Sequence, residues 1–126
     1  MDVESLTIAA GANDLRAIKR AAADGVDVNG RGKKNGWTAL HWAAYERHLP
    51  AVELLLGLGA DPDVRGKLGD TALHVAVLRV GHQVGIVKAL LNAGADPSIT
   101  NNNGRTATWM AQNKGGETAA AFESAE

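Results

Sequence analysis

The sequence predicts an all-α fold, a solenoid of stacked antiparallel helix pairs joined by hairpin-like turns, and three observations point to it. The stretch Thr38-Ala39-Leu40-His41-Trp42-Ala43-Ala44 returns after 33 residues as Thr71-Ala72-Leu73-His74-Val75-Ala76-Val77. A second stretch, Leu54-Leu55-Leu56-Gly57-Leu58-Gly59-Ala60-Asp61-Pro62, returns as Ala89-Leu90-Leu91-Asn92-Ala93-Gly94-Ala95-Asp96-Pro97 with an offset of 35, so two residues are added between the motifs. Self-similarity at a fixed period of this size marks a repeat architecture. Third, only 4% of the 126 residues are aromatic while 15 are glycine. Small aliphatic side chains pack thin, closely stacked units better than one thick core.

Each element follows from local chemistry. Thr38, Thr71 and Thr106 stand where an N-cap side chain accepts a backbone N–H, which predicts first helices over about 38–46, 71–79 and 106–113. The small residues Ala43, Ala44, Ala76 and Ala111 let two helices approach. Val52, Leu54 and Leu55, with Ile86, Val87, Leu90 and Leu91, recur at helical spacing as the buried stripe of the second helices. Pro50 falls near a first turn, where its missing donor costs little, and Gly59 and Gly94 follow the helices as C-terminal caps. Asp61-Pro62 and Asp96-Pro97 then leave the helix, so 27–37, 61–70 and 96–105 become the turns. The two added residues fall between Val80 and Gly85, because the motifs on either side stay in phase.

A worn first copy fits Leu6, Ala9, Ala10, Asn13, Asp14, Ala17, Ile18, Gly25, Val26 and Asp27 on the same offsets, and a worn last copy fits Gly104, Thr106, Trp109, Ala111, Gly115, Gly116, Ala119, Ala120 and Phe122. The chain thus reads as a single domain over 1–126, with repeats at about 1–34, 35–67, 68–102 and 103–126. The outer two serve as polar caps of the stack. Trp109, which replaces the repeat's histidine, is expected to pack into space left by Thr108.

These motifs resemble the ankyrin repeat, whose period and Thr-Pro-Leu-His-x-Ala signature they share with Ala in place of Pro. The resemblance implies that His41 and His74 bond the threonine side and the neighbouring repeat. It also implies a concave face, lined by the residues before the threonine and midway along the first helix, that binds another protein.

Composition excludes several alternatives. With no cysteine there is no disulfide framework, zinc-cysteine site or thiol nucleophile. Ser5, Ser98 and Ser124 sit in no nucleophile elbow. The four histidines, His41, His48, His74 and His82, fall in pairs on repeat positions, which speaks for structure and against metal. Gly30-Arg31-Gly32-Lys33-Lys34 lacks the spacing of a phosphate loop, and Asp61 with Asp63 reads as turn chemistry rather than a paired-acid site. The expectation is therefore no enzyme, no cofactor and no metal. No basic start precedes an apolar run and no apolar stretch approaches the roughly 20 residues of a membrane span, so a cytoplasmic protein without membrane contact is expected.

The candidate partner-binding residues are Lys33, Lys34, Trp37, Trp42, Tyr45 and Glu46 in the second repeat, Lys67, Asp70, Leu78 and Arg79 in the third, and Arg105 and Asn113 in the last. Trp37, at the junction of turn and helix, and Tyr45 are the expected anchors, since aromatic side chains dominate interface energetics; Trp42 divides between anchoring and packing. Residues 15–34 carry six basic against two acidic side chains. The net charge of −1 nonetheless leaves nucleic-acid binding through Arg31, Lys33 and Lys34 the weaker alternative. The expected activity is that of a monomer occupying one partner protein, one to one. It would act as a stoichiometric inhibitor such as a bacterial immunity or antitoxin protein, with a passive adaptor or scaffold as the rival.

Overall fold

Capping side chains set the helix starts in the computed structural model, which describes residues 2–78 and 84–114. The helices are α1 (Val3–Gly11), α2 (Leu15–Ala23), α3 (Ala39–Tyr45), α4 (Leu49–Gly57), α5 (Ala72–Leu78), α6 (Val84–Asn92) and α7 (Ala107–Lys114). Asp2 and Asp14 accept from the N–H groups of Ser5 and Ala17 at the starts of α1 and α2. Thr38 caps α3, Thr71 Oγ1 accepts from the His74 N–H in α5, and Thr106 Oγ1 accepts from the Trp109 N–H in α7. Pro50 lies in the first turn of α4. After the second helices, Gly25, Gly59 and Gly94 adopt φ of 83°, 95° and 94°, the left-handed conformation in which glycine suffers no Cβ clash.

Two rows result. The inner row stacks α1 on α3, α3 on α5 and α5 on α7; the outer row stacks α2 on α4 and α4 on α6; and α1, α3 and α5 each pack on their own outer partner. Alanine keeps the rows close: Ala10, Ala21, Ala39, Ala43, Ala44, Ala51, Ala76 and Ala111 are all completely buried, beside Ile18, Leu55, Val87 and Leu90. Between α3 and α4 the chain uses residues 46–48. Residues 79–83, where the two added residues are expected, lie outside the described residues. The expected second half of the last repeat, from Gly115 on, lies outside the described residues.

The turns are hairpins laddered along one edge of the stack. Gly32 N–H donates to Trp37 O, Gly66 N–H to Asp70 O and Asn101 N–H to Arg105 O, at 2.8, 2.9 and 2.8 Å. Successive hairpins join through Lys67 N–H to Asn35 O and Asn102 N–H to Leu68 O. At the opposite margin of the turns Asp61 N–H donates to Asn29 Oδ1 and Asp96 N–H to Asp63 Oδ1. The first hairpin has no hairpin before it among the described residues; there the Glu4 carboxylate accepts from Lys33 N–H at 2.9 Å. A side chain on α1 so supplies the acceptor that a preceding backbone supplies elsewhere.

Candidate functional site

Two buried histidines tie the inner row to the hairpins, as the family resemblance implies. His41 Nδ1 accepts from Thr38 N–H at 3.1 Å, and Nε2 reaches the Asp70 carbonyl of the next hairpin at 2.8 Å. His74 repeats the arrangement with Thr71 and the Arg105 carbonyl at 3.1 and 2.9 Å. With Nδ1 accepting, Nε2 carries the proton and the ring is neutral. Burial of the His41 ring favours that form and pushes its pKa down from 6.5 to about 4, against the opposing pull of the Asp70 carbonyl.

The aromatic residues of the second repeat form one cluster, but Trp37 is not the exposed anchor its sequence position suggests. It is only 8% exposed. Its ring stacks on His41 with centroids 5.8 Å apart and meets Trp42 at 4.7 Å and Tyr45 at 5.3 Å. The next hairpin closes over it: a Cβ on Gly66 would lie 2.7 Å from Trp37 Cδ1. Asp70 holds the same place one repeat later and is likewise 8% exposed, accepting from Asn101 Nδ2 at 3.2 Å. The residue before the capping threonine lies under the following hairpin, which takes Trp37 out of the groove linings, whereas Asp70, though buried, still contributes to the lining of one.

Trp109 differs in the other direction. It is 43% exposed, not packed inside, and the Arg105 guanidinium lies 4.4 Å from its ring centre. Trp42 and Tyr45 are half-buried, with Trp42 edge-on to Tyr45 and Lys34 Nζ 5.6 Å from the Trp42 ring. Lys33 and Glu46 are exposed, Lys67 Nζ donates to Lys33 O at 3.0 Å, and Asn113 Nδ2 donates to Trp109 O within its own helix. Arg79 and His82 lie outside the described residues. Of the basic turn residues, Arg31 donates Nε to Gly36 O at 3.2 Å.

Two grooves run along the inner face. One, of about 310 Å³, lies between α1 and α3 and is lined by Glu4, Thr7, Ile8, Gly11, Gly32, Lys34, Trp42 and Glu46. The other, of about 370 Å³, is lined by Leu68, Asp70, Leu78, Asn101, Asn102, Asn103, Arg105 and Met110. The expected residues therefore separate into Lys34, Trp42 and Glu46 in the first groove and Asp70, Leu78 and Arg105 in the second. Glu4 and Ile8 are not among the residues that the sequence marks for binding. The repeat itself could have found them, because Ile8 stands 34 residues before Trp42 and so holds its place on the inner helix.

Chemically the face offers contact and charge. Among the described residues no group of three or more His, Asp or Glu side chains is placed to hold a metal ion. No described helix is long and apolar enough to cross a membrane.

Helix pairs in two rows, with hairpins laddered along one edge and grooves between the inner helices, define an α-solenoid of the interaction type. The sequence model for ankyrin repeats, in three copies, matches residues 3–66 and that for a single ankyrin repeat matches 68–102. The chain belongs to the ankyrin repeat family and is a protein–protein interaction module. It is similar to human ankyrin repeat domain-containing protein 40, with 37% identity over 76 residues, 60% of this chain and 21% of that protein. It is also similar to bovine mitochondrial disaggregase, with 43% identity over 60 residues, 48% of this chain and 9% of that one. A third relative is Drosophila palmitoyltransferase Hip14, with 38% identity over 77 residues, 59% of this chain and 12% of that one. The matches span about a fifth or less of these relatives, and the activities in two of the names are those of the proteins that bear them. Ankyrin repeats are as a rule binding modules without catalysis.

Proposed function

We propose that the chain binds its partner protein through the concave face, one to one, and acts by occupying the surface it covers. The distribution of exposed apolar side chains carries this reading. Of the five large ones among the described residues, Ile8 at 71% exposed, Leu68 at 71% and Leu78 at 43% line the two inner grooves, while Leu58 and Trp109 line neither. Apolar area gathered in grooves with polar rims is the signature of an interaction surface. The surface is also preorganised, since the hairpin ladder and the histidine bonds fix the backbone that carries it; rigidity lowers the entropy lost on binding. Occupancy of this kind suits a stoichiometric inhibitor, and equally places the chain as a docking unit of a larger assembly. The comparisons lend nothing to an immunity or antitoxin role. Nucleic-acid binding is disfavoured because the Arg31 guanidinium is engaged with its own turn and Lys34 with Trp42.

The test begins with proteins retained by the full chain, each purified and titrated singly. Leu78→Glu and Arg105→Glu, on the inner face, should weaken a true partner by about tenfold or more, with Lys88→Glu on the outer row without effect. Sensitivity to Lys88→Glu alone would move the interface to the convex side, and a calorimetric stoichiometry other than one to one would refute the occupancy.

A further inference from the structure

The two grooves differ in charge. The groove between α1 and α3 is lined by two carboxylates, Glu4 beside the hairpin and Glu46 at the end of α3, against the single ammonium of Lys34. Glu4 is held in place, one oxygen accepting from Lys33 N–H at 2.9 Å. Glu46 occupies the C-cap of α3, where no basic residue lies in the last turn. A helix C-terminus favours a cation, and an acid there sacrifices stability. The same groove is lined by Ile8, 71% exposed, and by Trp42. The indole already attracts a cation, with Lys34 Nζ at 5.6 Å, and the 4.4 Å approach of Arg105 to Trp109 shows how much closer a planar guanidinium sits on an indole of this chain.

Resting on the reading of the concave face as the binding surface, we propose that this groove receives an arginine side chain of the partner protein, with a neighbouring apolar residue of the same segment against Ile8. The arginine stem lies along Ile8 and Trp42, and the guanidinium donates to Glu4 and Glu46. Planarity and paired N–H donors suit arginine to this combination of ring and carboxylates better than lysine. In the second groove Arg105 repels the same side chain, and the carboxylate there, Asp70, is buried and already accepts from Asn101 Nδ2.

The probe is a displayed library of short random peptides selected on the full-length chain, followed by titration of the enriched peptides made synthetically. Glu4→Gln and Glu46→Gln remove charge while keeping side-chain length and, for Glu4, the acceptor for Lys33 N–H. Circular dichroism melts confirm that each variant is folded. The expected result is enrichment of arginine beside an apolar residue. Binding should weaken about tenfold on each Gln substitution, and on Arg→Ala in the peptide, and change little on Arg105→Ala. Enriched peptides that are acidic and depend on Lys34, or that depend on Leu68 and Arg105 but on neither glutamate, overturn this inference and leave the concave-face reading standing. Peptides indifferent to substitutions in both grooves, or a selection that enriches nothing, overturn both.

Discussion

Trp37 and Trp109 are the same side chain in two regions of one repeat architecture, and their surroundings are opposite. Trp37 precedes a capping threonine and is covered by the following hairpin, against whose Gly66 it leaves no space for a Cβ. Trp109 takes the place that His41 and His74 hold in the inner row, yet it is 43% exposed beneath the Arg105 guanidinium. Burial in a solenoid is thus decided less by the side chain than by whether the next unit closes over its position, because each unit gains its core from its neighbours. The junction residue of one repeat is a structural component of the next.

The largest expected effect follows directly. Trp37→Ala should destabilise the chain by about 3–5 kcal/mol, the cost of emptying a large aromatic site in a packed core. Trp109→Ala should stay within about 1 kcal/mol, since the side chain is partly in water. Urea denaturation of the two variants beside the parent checks the contrast; equal losses would break it.

The periodic part of this arrangement was legible in the residues. Threonine caps, closing glycines, the Leu-Leu stripe and the histidine positions repeat at 33 to 35 residues, and each has a local reason that needs no tertiary information. Less legible was the side of the stack on which the junction residue ends up. Trp37 looks like a groove residue by chain order, and only contact across the stack, to Gly66, puts it under a hairpin; Asp70, buried and bonded to Asn101, keeps its place in a groove lining. Glu4 and Ile8 are hidden for a related reason. A degenerate first copy reads as a cap with a polar face, although its inner helix lines a groove with α3.

Acid should weaken the stack next most strongly. His41 is neutral when folded and its pKa lies at about 4 instead of 6.5, so between those values the unfolded chain binds a proton that the folded chain refuses. Stability is therefore full above about pH 6.5, falls as the pH drops and levels off near pH 4. The loss from this residue is about 3 kcal/mol. Denaturation midpoints across that range should show the slope, and His41→Gln should flatten it. At Trp109, in the same repeat position, no such titration exists. A slope that persists unchanged in His41→Gln would assign the acid sensitivity elsewhere.

The most direct test of the claim that a junction side chain is held by the next repeat is a double-mutant cycle between Trp37 and Gly66. A methyl group at position 66 would meet the indole at 2.7 Å and the Asn35 carbonyl at 2.9 Å. Gly66→Ala should accordingly cost about 1–3 kcal/mol in the parent chain. In the Trp37→Ala background, where the methyl group has space on the indole side, its cost should shrink by about 1 kcal/mol or more, a coupling read from urea denaturation of the four proteins. Additive losses, with Gly66→Ala costing the same whether or not the indole is present, would contradict the account.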